Sequence, residues 1–420
     1  MDKVILGQGC FLEDGVGTFR PNNNQVIVGC SGTGKSMSVQ LPTILNMDES
    51  SLIATYAKAG EARKVGVYLR KRGYDVQICD LSAPEKSTVG FDPLCYVFNQ
   101  LDVETLAESV VMANPANTDH RNTYWNDSAI SLLSTLINAQ LMTADKPNMA
   151  DVLDSFDDLQ IEESGRGITT SLDRSFAELA KIAPRCAAVS GFNDFRQLPY
   201  VTAGCVRDTL AKAIRRMFPE PIRRLMRAQQ GIDFKDIANK KTALILITSP
   251  VNTSLYYFAN LIFATGIKQL LEYAEKCRNQ CLPNHVRLLF DDFACSAKIN
   301  QFSRYISIFR AAGISTMLLI QSESQLNSLY SVDEATTILN NCSTYVYFPG
   351  GMDLQTCRSV SQRLDIPMTD VLYAPPGQVI VMQSGKKPVI TQRYDTVHSP
   401  EYKRFRSISL QLDSKLGRTG

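Results

Sequence analysis

Two textures alternate along this chain. Short, almost wholly apolar runs occur at 25–28, 52–54 and 76–79, and again at 243–248, 286–290, 315–320, 344–348 and 378–382. Their length and lack of polar alternation predict strands buried on both faces. Between them the apolar positions recur at helical spacing, over 36–46, 61–72, 256–277, 299–311, 332–340 and 353–364. Pro42 should kink or end the first of these, and 61–72 should expose a basic face. Strand, helix and strand in succession predict a parallel sheet. From about 101 to 227 the pattern is mostly helical, for example at 101–113, 125–141, 171–182 and 201–218, with no convincing strand. The expected organisation is one α/β domain, residues 1–100 and 239–402, split by an all-α domain at 101–238. Residues 403–420 read as a polar, basic tail that should fray.

Composition agrees with a globular chain: 420 residues, 44% hydrophobic and 20% charged. A formal net charge of +2 gives no overall attraction to nucleic acid, so any such contact needs a local basic patch. One candidate patch is Lys212, Arg215, Arg216, Arg223, Arg224 and Arg227, with only Glu220 against it. It suits a phosphate backbone or a solvated helix face equally well. Aromatic residues do not interleave with it in stacking register except at Phe218, so base-specific reading is not indicated. No run approaches the ~18 apolar residues of a spanning helix, so the chain is expected to be soluble. The eleven cysteines, irregularly spaced, read as reduced thiols. Cys277, Cys281 and His285 fall at helical spacing, but Pro283 interrupts them and no fourth ligand is near, so a metal there is disfavoured. His120, His285 and His398 are the only histidines and none sits in a nucleophile motif.

The strongest chemical signal is Gly29-Cys30-Ser31-Gly32-Thr33-Gly34-Lys35-Ser36, between an apolar strand and a helix. It fits the phosphate-binding loop G-x-x-x-x-G-K-[ST]. Glycines let successive N–H groups converge on phosphate oxygens, lysine reaches the β and γ phosphates, and the serine hydroxyl binds Mg²⁺. Gly29, Ser31, Gly32, Thr33, Gly34, Lys35 and Ser36 are therefore the expected ATP-binding residues. A second signal is the apolar run 286–290 ending in Asp291-Asp292. There Asp291 would support Mg²⁺ and Asp292 would orient the attacking water. Gln321, directly after the run 315–320, either senses a γ-phosphate or satisfies a turn, and spacing does not separate the two. Arg310, at a helix end before Gly313, reads as a solvated arginine, with an arginine finger as the alternative.

These motifs in this order resemble the type IV coupling proteins of conjugation and type IV secretion, within the hexameric DNA-translocating ATPases. Besides the loop, the resemblance rests on Tyr124-Trp125-Asn126-Asp127, on Leu289-Phe290-Asp291-Asp292-Phe293-Ala294 and on Arg310-Ala311-Ala312-Gly313-Ile314-Ser315. It continues through Ile320-Gln321-Ser322-Glu323-Ser324-Gln325-Leu326 and Asn340-Asn341-Cys342, covering nearly the whole chain. It implies a RecA-like P-loop domain split by an all-α domain, ATP and Mg²⁺ as cofactors, Gln321 as sensor and Arg310 as a finger acting in trans. It also implies a homo-hexamer with single-stranded DNA in its pore, a relaxase partner, a type IV secretion channel and a place at the inner face of the cell membrane. The family usually begins with membrane helices and none is read in this chain, so the resemblance implies either a soluble fragment or variant, or a separate membrane anchor protein as a further partner. Two sites depart from the family pattern. Asp291-Asp292 stands where Asp-Glu is usual, and Thr55-Tyr56-Ala57-Lys58-Ala59-Gly60-Glu61 where Asp-Pro-Lys-Gly-Glu is usual. Those departures keep open a nucleotide-gated docking platform with little turnover. A secretion ATPase handling protein substrates would carry the same nucleotide site.

Overall fold

The structure, a computed structural model, describes residues 2–13, 22–113, 123–165, 167–228, 230–249, 251–295 and 297–416. His120 lies outside the described residues. The chain forms two compact units. The first comprises Met1–Asp80, Asp233–Asn252 and Gly266–Gly420; the second comprises Leu81–Ile232 and Thr253–Thr265.

The first unit is built on a nine-stranded sheet. In chain order the strands of the molecule are β1 (Lys3–Gly7), β2 (Cys10–Glu13), β3 (Gln25–Val28), β4 (Ser51–Tyr56), β5 (Asp75–Asp80), β6 (Ile161–Ser164), β7 (Gly167–Thr170), β8 (Thr242–Ile247), β9 (Val286–Phe290), β10 (Ile314–Ile320), β11 (Thr344–Tyr347), β12 (Gln378–Gln383) and β13 (Val389–Gln392). The large sheet runs β13-β12-β11-β3-β10-β9-β4-β8-β5. From β11 to β5 every pairing is parallel, whereas β12 and β13 add to the edge in antiparallel fashion. All residues of β3, β4, β8, β9, β10 and β11 are buried, which is why these strands read as almost wholly apolar runs. Ile27, Leu289 and Leu319 have no exposed surface, and each such side chain contributes about 1.5–3 kcal/mol by leaving water. β1 and β2 form a separate hairpin turning at Gly9, whose φ is +69°.

Two helical expectations for this unit are revised. The helix after β3 opens as a wide π turn, Ser36–Gln40, and continues as Leu41–Leu45. Pro42 sits just past the change of winding, where its missing N–H and ring are accommodated without ending the helix. The region 299–311 is two short helices, Phe302–Tyr305 and Phe309–Ala312, rather than one. Phe302 is held in an aromatic cluster with Phe290, Phe293, Phe309 and Tyr330, which fixes the segment by side-chain packing.

The expected frayed tail is a helix, Pro400–Leu416. Its basic residues Lys403, Arg404 and Arg406 face solvent, while Tyr402, Phe405 and Ile408, three residues apart, meet the core. Phe405 packs edge-on against Tyr68 at 5.9 Å between ring centres. Polar composition hid an amphipathic stripe.

The second unit is mainly helical. Thr123–Thr143 is its central helix, packed by Gln100–Met112, Ala187–Arg196 and Tyr200–Met217. Leu133, Ile137, Leu153, Val206 and Leu210 form its dry interior, and Phe176 stacks on Phe192 at 3.8 Å. It also contains the antiparallel hairpin β6–β7, which the helical reading of the sequence did not anticipate. β6 is largely exposed and only Ile168 of β7 is buried, so the pair leaves little apolar signal in the sequence.

Candidate functional site

β3, β10 and β9 are adjacent and parallel, so their C-terminal ends open on the same edge of the sheet. Open α/β sheets bind ligands at such an edge. The loop 29–36 leaves β3, Gln321 leaves β10, and Asp291 and Asp292 leave β9. Residues nearly 300 apart in sequence are thereby gathered.

The loop is shaped by its glycines. A Cβ on Gly29 would lie 2.7 Å from Cβ of Phe348, so the position admits no side chain without a shift. Gly32 and Gly34 have φ of +81° and +92°, a region that L side chains rarely adopt. Thr33 closes the turn, its hydroxyl donating to the Cys30 carbonyl at 2.8 Å. Lys35 is buried and folds back over the loop, donating to the carbonyls of Gly29 and, at 3.1 Å, Cys30. Burial lowers its pKa, and Asp292 and Asp291 partly restore it.

The Ser36 hydroxyl donates to Asp291 Oδ1 at 3.2 Å. Asp291 is held from behind: its N–H donates to Thr55 Oγ1, at the end of β4, at 3.0 Å. Burial, then the neighbouring charges of Asp292 and Glu61, pushes its carboxyl up to about 6, against the opposing effects of Ser36 and Lys35. A carboxylate so placed gains from any cation brought beside it. Asp292 has φ of +59°, in the left-handed region. Aspartate tolerates that backbone far better than longer side chains do, which gives a conformational reason for the short carboxylate here. Gln321 Nε2 donates to Asp292 Oδ1 at 3.4 Å. An ammonium, a hydroxyl, two carboxylates and an amide are therefore joined in one contiguous group, suited to a phosphate chain, a divalent cation and a water.

Arg310 is not part of that group. It is exposed at the end of Phe309–Ala312, and no hydrogen bond or ion pair among the described residues joins it to the others.

Sequence inspection missed several supports of the site. Asn24 donates to the Asn341 carbonyl at 2.9 Å and accepts from the Thr316 N–H at 3.1 Å, tying the start of β3 to β10 and to the segment before β11. Glu323, buried two residues after Gln321, accepts from Tyr345 Oη at 2.8 Å and Ser359 Oγ at 3.0 Å. Arg393 carried no motif that would have marked it, and Thr55 was noted only as the start of the segment that departs from the family pattern.

The basic stretch of the helical unit is largely engaged within that unit. Arg223 pairs with Asp157 at 2.5 Å, and Arg227 with Asp154 at 2.6 Å and Asp151 at 3.1 Å. Lys212 pairs with Asp208 at 2.8 Å, and the Arg216 guanidinium lies 5.4 Å from the centre of the Tyr257 ring. In the sheet-bearing unit His285 Nε2 lies 2.8 Å from Ser315 Oγ. No helix among the described residues is long and apolar enough to cross a membrane.

Fold and site together have the form of a P-loop nucleotide-binding domain. Residues 3–364 match the family described as Type IV secretory system Conjugative DNA transfer, and the chain belongs to that family. Its role accordingly lies in conjugative DNA transfer by a type IV secretory system. Solved structures agree in fold. The unbound monoclinic form of the bacterial conjugative coupling protein TrwBdeltaN70 is 17% identical with a TM-score of 0.67, over 90% of this chain and 86% of that one. The plasmid coupling protein TrwB in complex with ADP and Mg²⁺ is 18% identical with a TM-score of 0.64, over 90% and 88%. VirB4 of Thermoanaerobacter pseudethanolicus is 13% identical with a TM-score of 0.58, over 96% and 98%. No curated protein sequence matches the chain.

Proposed function

We propose that this chain is an ATP-driven DNA translocase, coupling a relaxase–DNA substrate to a type IV secretion channel. The observation that carries the proposal is the convergence of Lys35, Ser36, Asp291, Asp292 and Gln321 at the ends of β3, β9 and β10. Membership of the conjugative DNA transfer family supports DNA as the cargo, and the TrwB complex with ADP and Mg²⁺ supports the nucleotide and metal.

In this reading Gly29, Ser31, Gly32, Thr33 and Gly34 wrap the phosphates. Lys35 exchanges its loop carbonyls for phosphate oxygens. Ser36 and Asp291 hold Mg²⁺, whose charge offsets the cost of ionising Asp291 in its buried position. Mg²⁺ supplies charge neutralisation of the β and γ phosphates. Asp292 accepts a hydrogen bond from the attacking water and Gln321, already bonded to Asp292, reports on the γ-phosphate. Catalysis is then positioning and charge stabilisation. Arg310, exposed and unengaged with this group, serves a neighbouring subunit's site in a homo-hexamer. Grip on single-stranded DNA comes through the phosphate backbone, so it carries little sequence preference and weakens with salt. Partners are a relaxase and components of the secretion channel, with the protein at the inner face of the membrane.

The test is ATP hydrolysis with and without single-stranded DNA, beside Lys35→Ala at the same concentration. DNA-stimulated turnover that is lost in the variant is the expected result. Tight ATP binding without turnover, at every protein concentration and with DNA present, would overturn the motor and leave a nucleotide-gated docking platform.

A further inference from the structure

Gln321 is exposed at the tip of β10, and its bond to Asp292 is 3.4 Å long. A side chain held so loosely takes its place from the backbone that carries it. That backbone enters the helix Glu323–Tyr330 at once, capped by Ser322, whose hydroxyl accepts from the Gln325 N–H at 3.1 Å.

The first turn of this helix is tied to a second helix, Leu354–Leu364, which follows β11. The Glu323 N–H donates to Thr356 Oγ1 at 2.9 Å in a buried bond, and the Ser324 hydroxyl donates to Asp353 Oδ1 at 2.7 Å. Both ties meet at Asp353. Its other oxygen, Oδ2, accepts from the Thr356 N–H at 2.9 Å and from the Thr356 hydroxyl at 2.5 Å. The hydroxyl that receives the Glu323 N–H is therefore itself aimed by Asp353. Burial raises the Asp353 carboxyl, but the bonds from Ser324 and Thr356 outweigh it and hold the group below its ordinary value.

The chain leading into Asp353 lies along the phosphate loop. The Phe348 N–H donates to the Val28 carbonyl at 2.8 Å, and the Cys30 thiol donates to the Gly350 carbonyl at 3.4 Å. Gly350 has φ of +112°, a backbone that glycine adopts far more readily than other residues. One short segment, 348–353, thus touches the loop at its start and the residues just beyond Gln321 at its end.

We infer that Asp353 is a positioning residue for Gln321, holding the amide in register with the phosphate loop. The inference rests on the proposed ATP site and adds to it a residue outside its motifs. Asp353 acts through Ser324 and Thr356 and not on the nucleotide. Without its carboxylate both anchors beyond Gln321 are released, and the amide meets a γ-phosphate less often. Lys35, Ser36 and Asp291 keep their own supports, so the diphosphate is held as before.

The experiment is displacement of the fluorescent probe N-methylanthraniloyl-ADP by ATPγS and by ADP, with Mg²⁺ and the full chain. The ratio of the two affinities reads contact with the γ-phosphate, and the wild type should prefer ATPγS. Gln321→Ala and Asp353→Ala should each reduce that preference about five-fold, the size of one hydrogen bond, while ADP affinity stays within about two-fold. The double variant should lose no more than either single one, because the two residues act as a unit. Ser324→Ala removes the tether but leaves Asp353 capping its helix, and it should show the same loss. Asp353→Asn keeps an acceptor for Thr356 and a group that reaches Ser324, so it should restore the preference. A merely structural role would weaken ADP and ATPγS together in Asp353→Ala, or would add to the loss in Gln321→Ala, and either result overturns the inference. Full preference in Asp353→Ala beside an impaired Gln321→Ala also overturns it and leaves the ATP site intact. Nucleotide binding that is indifferent to Lys35→Ala would overturn the ATP site, and the positioning role with it.

Discussion

Replacing Asp291 by asparagine separates what this carboxylate costs the fold from what it does for the site. Its pKa is pushed from an ordinary 3.8 to about 6, first by burial and then by Asp292 and Glu61. Between those values the folded protein binds more protons than the unfolded chain, so stability falls as pH rises through the window. The contribution is fully present below the unfolded value and is lost by the time pH exceeds about 6. A pKa difference of about 2, at about 1.4 kcal/mol for each, makes the ionised side chain cost about 3 kcal/mol at neutral pH. Asparagine keeps the shape without the charge. Asp291→Asn should therefore melt higher than the wild type at pH 7.5 without nucleotide, by roughly 6–12 °C at about 2–4 °C per kcal/mol. At pH 4 the two proteins should melt together. Scanning calorimetry in a chelator from pH 4 to pH 8 measures the gap, and adding Mg-ATP should raise only the wild-type midpoint. A gap independent of pH, or a less stable variant at pH 7.5, would refute the argument that charge burial dominates at this position.

Two further perturbations probe the supports. Thr55→Val leaves the Asp291 N–H buried without its acceptor, so urea unfolding should show a loss of about 1–2 kcal/mol. Phe405→Ala removes the ring that seats the C-terminal helix on Tyr68, at a cost of about 3 kcal/mol, and amide exchange should accelerate over residues 400–410 before it does so in the sheet.

The proposed phosphate site was visible in the sequence as a candidate because binding phosphate would constrain backbone and side chain together. The loop 29–36 combines glycines at the left-handed positions with Lys35 and Ser36, and few sequences meet both demands by chance. The run before Asp291-Asp292 was readable for a related reason: a strand buried on both faces is mostly apolar, here with Arg287 as its one charged residue, so its acidic end stands out. Amphipathic stripes were harder. The helix Pro400–Leu416 buries one apolar row beneath exposed arginines and lysines, and averaging over the segment conceals the row. The hairpin β6–β7 buries so little that periodicity had nothing to register.

The sequence by itself determined which residues are candidates for the chemistry and that a mostly parallel sheet would present them. Order along the chain says nothing about order across a sheet, and that second order decided the site. β10 inserts between β3 and β9, so Gln321 comes beside Asp292 and Asp291 beside Ser36. Burial at that edge sets the ionisation of Asp291, which no local sequence feature encodes. Only the folded chain brings Arg393 to Thr33 and Thr396 to Met37, because hydrogen bonds between distant segments depend on packing rather than on spacing.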